Sequence, residues 1–345
     1  MTTSAQRPDS RPIDWRRFKF NLPLPTLGGA QLWSDEWFWH EWRIQRHAIT
    51  GHYRLLDPRD VRRAWGSRED CQRRLAEIAG RDAASPMSGT AVIVLHGLLR
   101  SARGMRGLAR YLEREGGYTV VNVNYPSTRL SIAAHAASLR RILAGLVGVE
   151  EIHLVCHSLG NLVVRHYLAD CQRGAVATNG DAEGADAGGA PAAGPDPRLR
   201  RMVMLGPPNQ GSRLAELLTP IDRLRLLGAA HEFRDWPSLA GRLATPEFEF
   251  GIIAGGRGEP RGYNPLLQGD NDMIVTVEST RLAGARDFVL LPVLHAVMMD
   301  DPRVRALALH FLRDGHFVSD EARQGIPPAG GATPAATDSA LEGCL

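Results

Sequence analysis

Fourteen residues, Glu151-Ile152-His153-Leu154-Val155-Cys156-His157-Ser158-Leu159-Gly160-Asn161-Leu162-Val163-Val164, constrain the fold more than any other part of the chain. Ile152, Leu154 and Val155 make an apolar run of strand length, and Leu162, Val163 and Leu168 then recur at helix-like spacing. Ser158 and Gly160 lie between the two with no room for a loop. A strand that turns straight into a helix needs a sharp corner, and the corner residue is forced into an unfavourable backbone region. The residues two places to either side must be small, or strand and helix collide. Cys156 and Gly160 hold those places. Such a corner, a nucleophile elbow, exposes a serine hydroxyl at the carboxyl edge of a parallel sheet. The usual pattern is G-x-S-x-G, so Cys156 in the first position predicts a tighter corner.

The rest of the chain supplies a sheet for that edge. Ala91–Leu95 reads as a strand, Met105–Glu115 as an amphipathic helix ended by Gly116-Gly117, Tyr118–Val123 as a strand and Ile132–Leu146 as a helix. Beyond the elbow, Met202–Leu205, Phe250–Ala254 and Asp287–Leu291 read as strands, and Val304–Leu312 as a closing helix. These strands are continuous apolar runs, which is the signature of a parallel sheet covered on both faces. The spacing therefore predicts an α/β domain over residues 90–315.

Three stretches stand outside this alternation. Residues 1–80 read as a Trp-rich N-terminal extension packed on the core, with Met1–Pro12 polar and disordered. Trp33, Trp37, Phe38 and Trp42 fall on one side of a helix, and packing against the core is preferred there to contact with a membrane surface or an acyl chain. Arg43–Leu56 reads as a strand or extended arm and Val61–Ile78 as a helix. Residues 172–197 are dominated by Gly, Ala, Asp and Pro and read as a disordered insertion, and 325–345 as a disordered tail. Residues 212–247 hold a leucine-rich amphipathic segment, by position either a candidate lid or an ordinary helix packed on the sheet.

Composition narrows the function classes. The formal charge of +3 is too weak to argue for nucleic acid, and no apolar window reaches the ~18 residues of a membrane span. The N-terminus has no apolar signal core, so a cytoplasmic protein is expected. Cys71, Cys156, Cys171 and Cys344 show no metal-ligand spacing and are expected to be free thiols. No metal site is expected, and the sequence does not fix an oligomeric state.

A serine hydroxyl is a poor nucleophile near neutral pH and needs a base beside it. His295 follows the Val289-Leu290-Leu291 strand on a loop, as such a base must, whereas His135, His166 and His310 lie in helices and His40, His47 and His52 precede the sheet. The base in turn needs a carboxylate to hold its tautomer. Asp272, after the Phe250 strand, is preferred, with Asp270 in the same Gly269-Asp270-Asn271-Asp272 turn as the alternative. The order Ser158, Asp272, His295 is the one expected for a fold with such an elbow. The oxyanion of a tetrahedral intermediate needs backbone donors. The amides of Leu159, next to the serine, and Leu98, in the His96-Gly97-Leu98 loop, are the candidates. His96 and His157 flank the site and read as residues that hydrogen-bond its loops in place.

With these residues the chain resembles the α/β-hydrolase superfamily and, within it, small bacterial lipases and esterases. The resemblance covers Ala91 to Leu312. It is carried by His96-Gly97-Leu98, Cys156–Gly160, Asp272-Met273-Ile274-Val275 and His295. The Arg281–Arg286 stretch and the Leu205–Ser212 loop also look lipase-like. The resemblance implies an α/β-hydrolase fold with a mostly parallel central sheet and helices on both faces. It further implies a Ser-Asp-His mechanism through an acyl-enzyme, without a cofactor. The expected substrate is a small-molecule or lipid ester. The alternatives are a thioesterase or acyltransferase with the same triad, or a non-catalytic hydrolase-like module whose Trp-rich N-terminus binds a partner or membrane.

Overall fold

The computed structural model describes residues 24–25, 31–82, 87–174, 194–211, 229–233 and 235–328. An antiparallel sheet comes first in the chain, built from β1 (Leu24–Pro25), β2 (Trp33–Trp39), β3 (Trp42–His47), β4 (Tyr53–Leu56) and β5 (Val61–Gly66) in the spatial order 1-5-4-3-2. The Trp-rich segment is thus a strand pair and not the expected helix. Trp39 pairs directly with Trp42 across a two-residue turn in which His40 takes a φ of 50°. Large aromatics suit a half-buried pleated surface, and cross-strand pairing overrides the helical spacing here. Phe38 enters the main core, while Trp37 and Trp39 pack with Ile44, Leu55, Cys71 and Leu75 in a smaller cluster. Arg43–Leu56, read as a strand or extended arm, is two strands, most of the β3–β4 hairpin. The helix expected over Val61–Ile78 begins only at α1 (Arg68–Asp82), because Gly66 breaks the chain at a φ of 141° and Ser67 caps the helix, accepting from the Asp70 N–H at 3.1 Å.

The main sheet holds β6 (Thr90–Leu95), β7 (Thr119–Val123), β8 (Glu151–His157), β9 (Leu199–Leu205), β10 (Glu249–Gly255) and β11 (Asp287–Leu291) in the order 11-10-9-8-6-7, every pairing parallel. Successive side chains point to opposite faces, and both faces are apolar. Ala91, Ile93 and Leu95 of β6 join the core under α3 (Ile132–Gly145) and α4 (Leu159–Gln172). Val92 and Val94 join the one under α2 (Ala102–Gly116) and α5 (Pro302–Asp314). Full burial of one such side chain is worth roughly 1.5–3 kcal/mol, so an unbroken apolar run specifies a strand covered on both sides. The helix ends carry their own stop signals. Gly117 closes α2 in the left-handed conformation, and Asp301 with Pro302 opens α5.

From β6 the chain crosses to β7 on one side, whereas β8 leads to β9 on the other. The carboxyl ends of β6 and β8 therefore flank a topological switch point, where open α/β sheets form a crevice. The antiparallel sheet abuts the β7 edge of the main sheet. The Asp35 N–H donates to the Asn124 carbonyl at 2.8 Å, and the Asn124 N–H donates to Asp35 Oδ2 at 2.6 Å. Arg141 on α3 reaches Glu36 at 2.8 Å.

Met1–Pro12, residues 175–193 of the expected insertion and 329–345 of the expected tail lie outside the described residues. So does half of the candidate lid, residues 212–228 and 234. The described remainder of that segment forms single helical turns at Ala229–Glu232 and Trp236–Ala240, with Ala229, Phe233 and Leu239 buried in the main core. Among the described residues no helix is long and apolar enough to cross a membrane, and no group of three or more His, Cys, Asp or Glu side chains is placed to hold a metal ion.

Candidate active site

β8 ends at His157 and α4 begins at Leu159, so Ser158 is the whole corner. Its φ of 51° and ψ of −116° lie in a region that side chains other than glycine rarely occupy, a strain of about 1–3 kcal/mol. The surroundings enforce it. The Ser158 N–H donates to the Leu205 carbonyl at 2.9 Å, and the buried Asn161 side chain donates to the Ser158 carbonyl at 2.9 Å. Glycine is required at 160, since a Cβ there would stand 2.8 Å from Leu95 Cβ and 2.9 Å from the Leu95 carbonyl oxygen. Glycine is also required at 97, where a Cβ would meet His157 Nδ1 at 2.8 Å and Ser158 Cβ at 3.1 Å. The loop after β6 thus runs directly against the elbow. Cys156 is fully buried in register with Leu95 and Met204, and burial pushes its thiol far above the usual range, so it offers no reactive thiolate.

His295 and Asp272 are brought together. His295 Nδ1 lies 2.7 Å from Asp272 Oδ2, and both side chains are buried. The backbone reinforces the pair, as the His295 N–H donates to the Asp272 carbonyl at 2.9 Å. The other carboxylate oxygen, Oδ1, accepts from the N–H groups of Ile274 (3.1 Å) and Val275 (2.8 Å). Three donors converge on one carboxylate and fix its orientation. With Nδ1–H held by Asp272, the lone pair of His295 is on Nε2, where a base needs it. Asp270 does not reach His295. Its Oδ1 accepts from the N–H groups of Arg257 (2.7 Å) and Asn271 (2.9 Å), and its Oδ2 from that of Gly258 (2.8 Å), so it ties a loop.

His157 and His96 connect these parts. His157 Nε2 lies 3.0 Å from the His295 carbonyl oxygen, and the two rings are 4.7 Å apart. His96 lies flat on Tyr125 with ring centroids 4.0 Å apart. Its Nδ1 is 2.9 Å from the Gly97 carbonyl, and its Nε2 accepts from the Tyr125 N–H at 3.3 Å. Burial lowers the pKa of His96 to about 4 and holds that of His157 well below its usual value. Both are neutral in the folded protein at neutral pH. In the unfolded chain each takes up a proton near pH 6.5. The unfolded state therefore binds more protons as pH falls below that value, and stability is lost between about pH 6.5 and the lowered folded pKa of about 4 for His96. A chemical-denaturation series should show the unfolding midpoint falling steeply from pH 7 to pH 4.5; a flat series would contradict neutral burial of these rings.

Two contributors escape the sequence reading. Gly206, just after β9, has a φ of 51°, and a Cβ there would sit 3.0 Å from His295 Nδ1 and 3.3 Å from Asp272 Oδ2. Gly255, at the end of β10, plays the same part for Asp272, with a Cβ meeting Asp272 Cβ at 2.7 Å. Both lie at the carboxyl ends of apolar strands, and Gly206 also falls in the Leu205–Ser212 loop, but neither signal assigns a role. For the oxyanion candidates, Leu159 is the first residue of α4, whose amide has no intrahelical partner. Leu98 is half-buried in the loop pressed against the elbow.

A family model described as the alpha/beta hydrolase family matches residues 92–324. None of the curated proteins matches the sequence. Among solved structures, the product of gene lin2722 of Listeria innocua is 16% identical with a TM-score of 0.42, covering 66% of this chain and 95% of its own. The mature form of a Bacillus licheniformis lipase is 18% identical with a TM-score of 0.42, covering 66% and 93%. A hydrolase from Oleispira antarctica is 14% identical with a TM-score of 0.40, covering 67% and 93%. The match over residues 92–324 takes in β8, α4, Asp272 and His295, and the six-stranded parallel sheet flanked by helices agrees with it. The chain belongs to the alpha/beta hydrolase family.

Proposed function

We propose that the protein is a serine hydrolase that cleaves carboxylic esters, lipase- or esterase-like, through Ser158, His295 and Asp272. The observation that carries this reading is the 2.7 Å His295–Asp272 pair, together with a serine held at positive φ on the elbow. Two costs support chemistry over a binding module: the strain at Ser158 lowers stability, and a buried Asp–His pair adds little that an apolar pair would not. Ser158 Oγ attacks the ester carbonyl carbon while His295 Nε2 takes its proton. The amides of Leu98 and Leu159 receive the oxyanion. The intermediate collapses with loss of the alcohol, protonated by His295, and leaves an acyl-Ser158 ester. Water, deprotonated by His295, then releases the acid and restores the serine. Asp272 holds the imidazole and stabilises its charged form.

The reading also separates from its neighbours by experiment. The purified protein should be labelled by a fluorophosphonate at one site, Ser158 by peptide mass mapping, and should turn over p-nitrophenyl esters between acetate and palmitate. The chain-length profile divides esterase from lipase. Turnover of acyl thioesters far above esters would move the assignment to a thioesterase. A folded protein that takes no label sinks the enzyme reading in favour of a binding module.

A further inference from the structure

We infer that Gln31, outside the family match over residues 92–324, is a positioning residue for the loop that carries the Leu98 amide, a role that presupposes the ester-hydrolase reading above. Gln31 stands just before β2, the strand that the Asp35–Asn124 bonds fasten to the carboxyl end of β7. Its side-chain amide bridges two loops. Nε2 donates to the Arg100 carbonyl at 2.7 Å, in the loop after β6. Oε1 accepts from the Thr128 N–H at 3.1 Å and the Thr128 hydroxyl at 3.0 Å, in the loop after β7, with Ser127 Oγ at 3.4 Å. These partners fix which end of the amide is which, because the reverse orientation would oppose donor to donor and acceptor to acceptor. Ser127, fully buried, completes the clamp by accepting from the Leu99 N–H at 3.1 Å.

The loop needs such a clamp. Leu99 holds a φ of 60° and is 58% exposed, so packing gives little to keep a branched residue in the left-handed region. Inside the loop itself the Arg100 N–H makes only a long bond to the Gly97 carbonyl, at 3.3 Å. If Leu99 relaxes to negative φ, the 97–100 turn re-forms and the Leu98 amide swings away from Ser158. The same loop is tied on its other side, where the Arg100 guanidinium donates to the carbonyl of Ala296, next to His295, at 2.5 Å. Gln31 therefore holds the backbone of a residue whose side chain holds the histidine loop. On this account the segment that leads into the N-terminal antiparallel sheet helps to position the oxyanion loop.

The experiment replaces Gln31 by Met, which keeps the length and removes every polar atom, and by Glu, which keeps an acceptor for Thr128 but sets an oxygen against the Arg100 carbonyl. For p-nitrophenyl butyrate, both variants should lose about 10-fold to 100-fold in kcat, with KM within about twofold. Affinity for a trifluoromethyl ketone, which forms a tetrahedral adduct on the serine, should weaken by the same factor as kcat. The unfolding midpoint and far-UV circular dichroism are recorded for each. A wild-type kcat in both variants, or a loss matched by the unfolded fraction alone, overturns the inference, as does an unchanged affinity for the ketone. Ser158→Ala is assayed in parallel. If it stays active, the ester-hydrolase reading itself falls; if it is dead while Gln31→Met and Gln31→Glu retain wild-type kcat, only the role of Gln31 falls.

Discussion

Alanine at position 158 is expected to lower kcat for short p-nitrophenyl esters by about 10⁵–10⁶ and to abolish fluorophosphonate labelling, while the protein stays folded. The loss is large because the attacking atom is gone, and what remains is binding and oxyanion stabilisation acting on bulk water. Folding should survive because alanine meets the same corner: the φ of 51° is set by the Leu205 and Asn161 contacts to the backbone and not by the hydroxyl. Glycine at the same position gives the complementary result. It also removes the nucleophile, but it relieves a strain of about 1–3 kcal/mol at the cost of somewhat less than 1 kcal/mol in chain entropy. Ser158→Gly should therefore be inactive and melt above Ser158→Ala. That ordering of midpoints reports strain kept for function, as in other sites that trade stability for activity. Activity of Ser158→Ala within tenfold of wild type would remove Ser158 from the mechanism altogether.

The parts of this molecule that were legible in the sequence are those whose signal is local. β8, the corner and α4 are consecutive, so the apolar run, the serine and Gly160 carry their message within fourteen residues. The strands of the parallel sheet are buried on both faces and read as unbroken apolar runs. Asp272 could be preferred to Asp270 from its place after the Phe250 strand and just before the Met273-Ile274-Val275 run. The structure shows Asp270 spending its oxygens on the Arg257, Gly258 and Asn271 amides. The N-terminal sheet was misread because its signals compete. Trp33, Trp37 and Phe38 satisfy a helical period about as well as a strand, and the choice is made by partners that the local window does not contain: Trp42 across the turn, and Asn124, which lies 89 positions beyond Asp35. Gln31 had no signal at all. A glutamine in a polar stretch is ordinary until the fold sets its amide between Arg100 and Thr128.

Asparagine at position 272 is expected to lower kcat by about 10⁴ with little change in KM or in the unfolding midpoint. The reason lies in how the three donors divide the carboxylate. Ile274 and Val275 donate their N–H groups to Oδ1, so an asparagine there must keep its carbonyl oxygen on that side. Its NH₂ group then faces His295 Nδ1, 2.7 Å from the atom it replaces. A donor now meets the nitrogen that carried the proton. The imidazole answers by taking the other tautomer, with Nδ1 accepting and Nε2 protonated, and a protonated Nε2 cannot take the proton of Ser158. Flipping the amide does not rescue the site, because it sets the NH₂ group against two backbone N–H donors. The substitution is nearly isosteric, which is why stability should be kept while chemistry is lost. The imidazole nitrogens of His295, observed by ¹⁵N NMR, should report the exchange of tautomer directly. The matching change at Asp270 should leave kcat within a few-fold and loosen only the Arg257–Gly258 turn. A reversal of the two results, with Asp270→Asn dead and Asp272→Asn active, would transfer the role of the acid to Asp270 and would require the loop to rearrange before catalysis.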